Sequence, residues 1–152
     1  MAGRCRRELG DVEDALSRHG ALVDEARALW AVANQVVAEE LCADHAAAGD
    51  WGEAGRWAQE SVDRRGEGRM FCHLSLWTVA DALLRSGRRF EAPGLPAGDR
   101  YRVVALRTRA VVEAHAGRAA AAAAARTEAL EIAERLELPV LVRQLRAELA
   151  PA

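Results

Sequence analysis

Polar and apolar positions alternate with a helical period along residues 22–48. Apolar side chains, with one histidine among them, fall at Leu22, Ala26, Leu29, Trp30, Ala33, Val36, Val37, Leu41, His45 and Ala48. That spacing predicts a helix with one buried face over about seven turns, its weak point at Ala33–Asn34. Gly49 then supplies the left-handed position that ends a helix, Asp50 an N-cap and Glu53 the matching capping-box residue. Stop and start lie two residues apart, so the helices on either side are expected to run antiparallel. The same reading predicts helices over 70–86, ended by Gly87, over 99–116, ended by Gly117, and over 118–136. Pro139 opens a last helix that runs to Leu149.

Glycine sets a longer rhythm. Gly10, Gly49, Gly87 and Gly117 are each followed five residues later by alanine, at Ala15, Ala54, Ala92 and Ala122. The intervals between these glycines are 39, 38 and 30 residues, and the last two together make 68, twice 34. This is the period of a helix-turn-helix array. Small side chains at Ala54 and Ala122 would let paired helices approach closely. Residues 65–69 read as a short loop. The stretch 88–98 holds two prolines and two glycines, so the third unit is cut to one helix and a loop. The alanine run 119–125 continues in helical phase into Leu130, Ile132 and Ala133 and reads as the thin half of a hairpin.

The expectation is an all-α chain of about 6–7 helices arranged as antiparallel hairpins. A single repeat domain would span 11–149, with loop 88–98 inside it, a frayed basic start at 1–10 and a tail at 150–152. Met1 to Leu9 is too short for a full partner helix. The helix from Asp11 is therefore expected to leave Val12, Ala15, Leu16 and Leu22 uncovered, for another protein or a second copy to bury.

Composition narrows the function classes. A length of 152 residues suits one domain, and the 51% apolar content is dominated by 34 Ala with only 2 Phe and 1 Tyr. This is a helix-former's composition. No apolar run approaches the ~18 residues of a membrane span, and no charged-then-apolar leader follows Met1, so a cytoplasmic protein is expected. The net charge is −2, and all 21 basic residues are arginine. That balance does not point to nucleic acid.

The residues resemble a family, the tetratricopeptide repeats, whose Gly-Asp-Tyr-x-x-Ala turn joins the two helices of a 34-residue unit. With Gly49 as the turn glycine, Leu41 and Cys42 fall at the small-and-large pair, His45 at a usual aromatic, Trp51 at the turn aromatic, and Ala54, Ala58 and Ser61 along the second helix. With Gly117, the matching positions are Leu106, Ala110, Ala122, Ala129 and Leu130. The departures are the missing repeat-end prolines, the shortened third unit and Ala119 in place of an aromatic. Phrases such as Ala-Leu-Leu-Arg-Ser-Gly-Arg-Arg resemble the repeat arms of actinobacterial LuxR-type ATP-dependent transcriptional regulators. The resemblance implies a right-handed stack of hairpins, an α-solenoid, that binds protein. It also implies that first helices line a concave groove, which would carry Glu39, Trp77, Asp81, Arg85, Arg107 and His115.

Catalytic signatures are absent from the sequence. There is no Gly-x-Ser-x-Gly, no phosphate-binding Gly-x-x-x-x-Gly-Lys, no His-Glu-x-x-His, and no lysine for a Schiff base. Glu39–Glu40, Asp24–Glu25 and Glu13–Asp14 read as solvated faces. Cys42, His45, Cys72 and His73 could form a metal or redox site, but their spacing is not a zinc pattern. No metal and no cofactor are expected. Charge is uneven: −6 over residues 1–60, +5 over 61–109 and −1 over 110–152. The functional expectation is a non-enzymatic protein-interaction or regulatory module. Its partner would be another protein or peptide, acidic if it meets the basic middle segment, or a second copy through the N-terminal helix. The alternatives are a transcription-associated regulator separated from its DNA-binding domain, and a metal or redox sensor. A nucleic-acid arm at Arg4, Arg6 and Arg7 is the sharper reading of the basic start.

Overall fold

In the computed structural model, the described residues are 2–29, 31–63 and 76–150. Of these, 79% are helical and none forms a strand. Nine helices are present among them: α1 (Ala2–Glu8), α2 (Val12–Gly20), α3 (Val23–Leu29), α4 (Ala31–Ala47), α5 (Trp51–Asp63), α6 (Leu76–Arg85), α7 (Asp99–His115), α8 (Ala119–Arg135) and α9 (Pro139–Leu149). The chain forms two compact units, Met1–Phe90 and Glu91–Ala152, where the sequence suggested a single domain. No described helix is long and apolar enough to cross a membrane.

One turn geometry recurs. Gly10, Gly49, Gly87 and Gly117 have φ between +73° and +87°, the left-handed region that a side chain disfavours. After each, the next amide donates to the carbonyl five residues back: Asp11 to Arg6, Asp50 to His45, Arg88 to Leu83 and Arg118 to Glu113, at 2.8–2.9 Å. These bonds satisfy helix-end carbonyls that would otherwise lack partners. A fifth turn of the same kind stands at Glu137, φ +52°, where the Leu138 amide donates to Ala133 at 3.0 Å. Glycine spacing could not reveal it. The expected side-chain cap forms at α5, where Asp50 accepts from the Glu53 amide at 3.1 Å, and α2 has a matching one, Asp11 accepting from the Asp14 amide at 3.3 Å.

The first unit is built on α4, α5 and α6. Ala38, Leu41 and Cys42 of α4 meet Ala54, Trp57 and Ala58 of α5 and Val79, Ala82 and Leu83 of α6, with Phe90 packed at the edge. Within the stretch expected as one helix over 22–48, the described residues form α3 and α4, which lie on either side of residue 30, itself outside the described residues; Ala33–Asn34, the expected weak point, lies inside α4. The phase differs as well: Asn34, Gln35, Ala38, Leu41 and Cys42 point inward, while Leu22, Leu29 and Val36 are exposed. Hydrogen bonding allows the polar start of that face to be buried. Gln35 Nε2 donates to Glu39 Oε1 at 3.2 Å, and Ser61 of α5 donates to the same oxygen at 3.4 Å.

In the second unit α8 packs on both α7 and α9. Val103, Leu106 and Ala110 of α7 meet Ala125, Ala129, Ile132 and Ala133 of α8 and Leu145 of α9. Ala54 and Ala122, the seam positions, are both buried, whereas Ala92 is exposed in the 88–98 stretch, which carries no helix. Residues 65–69 and the start of the helix expected at 70 lie outside the described residues.

Candidate functional site

Two corrections concern the start of the chain. Residues 2–8 are helical rather than frayed, and α1 packs on α2 and α4, so the side of α2 expected to be bare is partly covered. Ala15 is fully buried and Val12 and Leu16 are half-buried, while Leu22 remains exposed. The three arginines read as a basic arm are ion-paired. Arg4 bonds to Glu40, Arg6 to Asp14 at 3.2 Å, and Arg7 to both Glu40 at 2.9 Å and Asp44. Glu40 and Asp44 stand one helical turn apart on α4 and so face the same way. Burial works against the charge on Arg7; its hydrogen bonds to Asp44 and Glu40 outweigh that cost and leave its pKa above the ordinary value.

Asp44 is fully buried and completes a polar cluster, its second oxygen lying 2.5 Å from Nδ1 of buried His19 on α2. Neither residue stands out in the sequence. The one available signal is the Glu40/Asp44 spacing on a helix that follows an arginine-rich segment.

The six groove residues are divided between the two units. Glu39, Trp77, Asp81 and Arg85 belong to the first unit, Arg107 and His115 to the second. Glu39 is buried against Gln35 and Ser61, not lining a groove. On α6, Asp81 and Trp77 are half-buried and Arg85 is exposed; Arg85 binds Asp81 at 3.0 Å and lies 4.3 Å above the Trp51 ring. His115 is exposed at the end of α7.

Arg107 is the clearest reversal: it is only 4% exposed. Its Nη1 donates to Gln144 Oε1 at 3.1 Å and its Nη2 to Glu148, so it ties α7 to α9 from inside. Arg126 of α8 reaches the same Glu148 at 3.6 Å. Burial lowers the pKa of Arg107, and Glu148 opposes that effect. The Glu39–Glu40 pair, read as a solvated face, likewise points into the protein.

Of the four possible metal ligands, Cys72 and His73 lie outside the described residues. Cys42 sits in the apolar core, and desolvation pushes its thiol up to about 12, with Glu39 adding to the effect. His45 Nδ1 lies 3.8 Å from Asp50. No group of three metal-capable side chains occurs among the described residues. Open hollows among the described residues include one of about 380 Å³ beside Leu95–Tyr101 and one of about 400 Å³ beside Arg56, Glu60 and Arg88. No protein-family model, curated protein or solved structure matches the chain.

Proposed function

We propose that this chain is a non-catalytic protein-interaction module built of helical hairpins, contacting its partner through the α3–α4 edge. The observation that carries this reading is a run of large apolar side chains in solvent: Leu22 in the α2–α3 turn, Leu29 at the end of α3 (63% exposed) and Val36 on α4. They occur within fifteen residues of sequence, and exposed large apolar side chains so close along the chain are a common mark of a contact surface. The polar groups drawn inside support it too, since buried Asp44 and Arg107 and half-buried Glu40 are engaged in ion pairs that join helices, and buried His19 contacts Asp44. A likeness to tetratricopeptide hairpins is supported by three left-handed glycines, Gly10, Gly49 and Gly117, each followed five residues later by a buried alanine. The partner is another protein or peptide with an apolar face.

Quantitative affinity capture from a lysate of the encoding organism, comparing the full chain with a Leu29→Glu, Val36→Glu variant, tests this. A protein recovered by the parent chain and lost with that variant, but retained by Arg143→Glu on exposed α9, is the expected result. Identical recovery by both chains would place the contact elsewhere.

A further inference from the structure

Helix α1 is fastened to its unit by charge rather than by apolar packing. Between Gly3 and Leu9 only Gly3 is buried and Arg7 half-buried, whereas Cys5 and Leu9 face solvent. Among the described side chains of α1, none enters the apolar core around Leu41, Trp57 and Leu83. What holds the helix is three arginines meeting four carboxylates, Asp11 and Asp14 at α2 and Glu40 and Asp44 on α4. The Gly3 backbone also lies flat on His19, where a Cβ would stand 2.5 Å from Nε2.

We propose that α1 is a releasable latch, an ion-held strap over α2 and α4 that opens as one piece while the α4–α6 core stays folded. Local opening is drawn from elements with few apolar contacts, and α1 has almost none. The backbone at Gly10, φ +87°, supplies the hinge. The charged and titratable groups that face the joint are Arg4, Arg6 and Arg7 from α1, Asp11 ahead of α2, Asp14, Arg18 and His19 from α2, and Glu40 and Asp44 from α4. Opening returns the half-buried Arg7 and Glu40 and the buried Asp44 to water, which offsets the lost ion pairs, whereas undocking a helix from an apolar core has no such compensation. The open form presents Glu40 and Asp44, one turn apart on α4, to solvent.

Amide hydrogen exchange of the full chain, read by mass spectrometry, tests the latch. Raising salt from ~0.05 M to ~1 M should quicken exchange in residues 3–9 roughly tenfold, while segments 38–46 and 54–61 stay unchanged. Arg7→Gln at low salt should give the same pattern, and Arg4→Gln, which removes only a half-exposed link, a smaller one. Exchange in α1 that ignores both salt and Arg7→Gln would overturn the proposal. So would α1, α4 and α5 quickening together, because α1 would then be part of the core.

Discussion

Gly55 of α5 lies so close to Ser86, just beyond α6, that a Cβ on Gly55 would stand 2.1 Å from the serine Oγ and 2.5 Å from its Cβ. Ser86 has little freedom to move away, because its hydroxyl donates to the Ala82 carbonyl at 2.7 Å. Gly55→Ala should therefore destabilise the first unit by ~1–3 kcal/mol through overpacking, despite the better helix propensity of alanine. Gly52, three residues earlier on the same helix, is exposed, with its nearest neighbour atom at 3.6 Å. Gly52→Ala should stabilise by ~0.5–1 kcal/mol. Urea melts of the two variants check the opposite signs, and equal effects would show that α5 and Ser86 are not in close contact.

Glu137 adopts a backbone conformation that glycine holds at four other turns. Relief of the left-handed penalty predicts that Glu137→Gly stabilises the second unit by ~0.5–1 kcal/mol, a result rarely obtained by removing a side chain. Gly117→Ala, at φ +73° with open space around it, should cost a similar amount. Thermal melts of both variants give the comparison.

These two cases separate what the sequence made legible from what it did not. Turns marked by glycine, such as Gly49 with Asp50 and Glu53, could be placed to the residue because backbone conformation and capping depend on local chemistry. Glu137 was invisible for the complementary reason: its conformation is imposed by packing on either side, not chosen by the residue. The inward face of α4 differs from the one hydrophobicity predicts, because hydrophobicity alone cannot show that Asn34 and Gln35 are buried among hydrogen-bonding partners. The sequence alone reads Arg7 as part of a basic start, Glu40 as a solvated face and, by resemblance, Arg107 as a groove residue, whereas their drawing inward depends on partners 33 to 41 residues away in the chain. No periodicity carries that information.

Cys42 makes a prediction about pH. Its thiol is raised to about 12 in the folded chain by burial, against ~8.5 for an ordinary cysteine. Between those values the unfolded chain loses the proton and the folded chain keeps it, so stability falls as pH rises, with a limiting slope of ~1.4 kcal/mol per pH unit. Cys42→Ala should flatten that slope between pH ~9 and ~11. At neutral pH, in a Cys72→Ser background, a thiol reagent should label exposed Cys5 in the native protein and reach Cys42 only on unfolding. Rapid native labelling of both thiols would contradict the packing of α4 against α5 and α6.

Arg107 separates a structural role from a binding one. If it lined an open groove, Arg107→Glu would weaken partner binding and leave the fold intact. Buried against Gln144 and Glu148, the new carboxylate would instead meet a like charge in a desolvated place, with a cost of ~3–5 kcal/mol to the second unit. Arg107→Met keeps the length, removes the charge and should cost far less, since an apolar side chain of similar volume replaces a buried ion at small penalty. Glu148 is about one-third exposed and can turn into water, so Glu148→Gln should fall between the two. The ordering Arg107→Glu, then Glu148→Gln, then Arg107→Met in loss of melting temperature identifies an internal tie between α7 and α9. Three variants melting with the parent chain, with only Arg107→Glu losing a partner, would restore Arg107 to a surface.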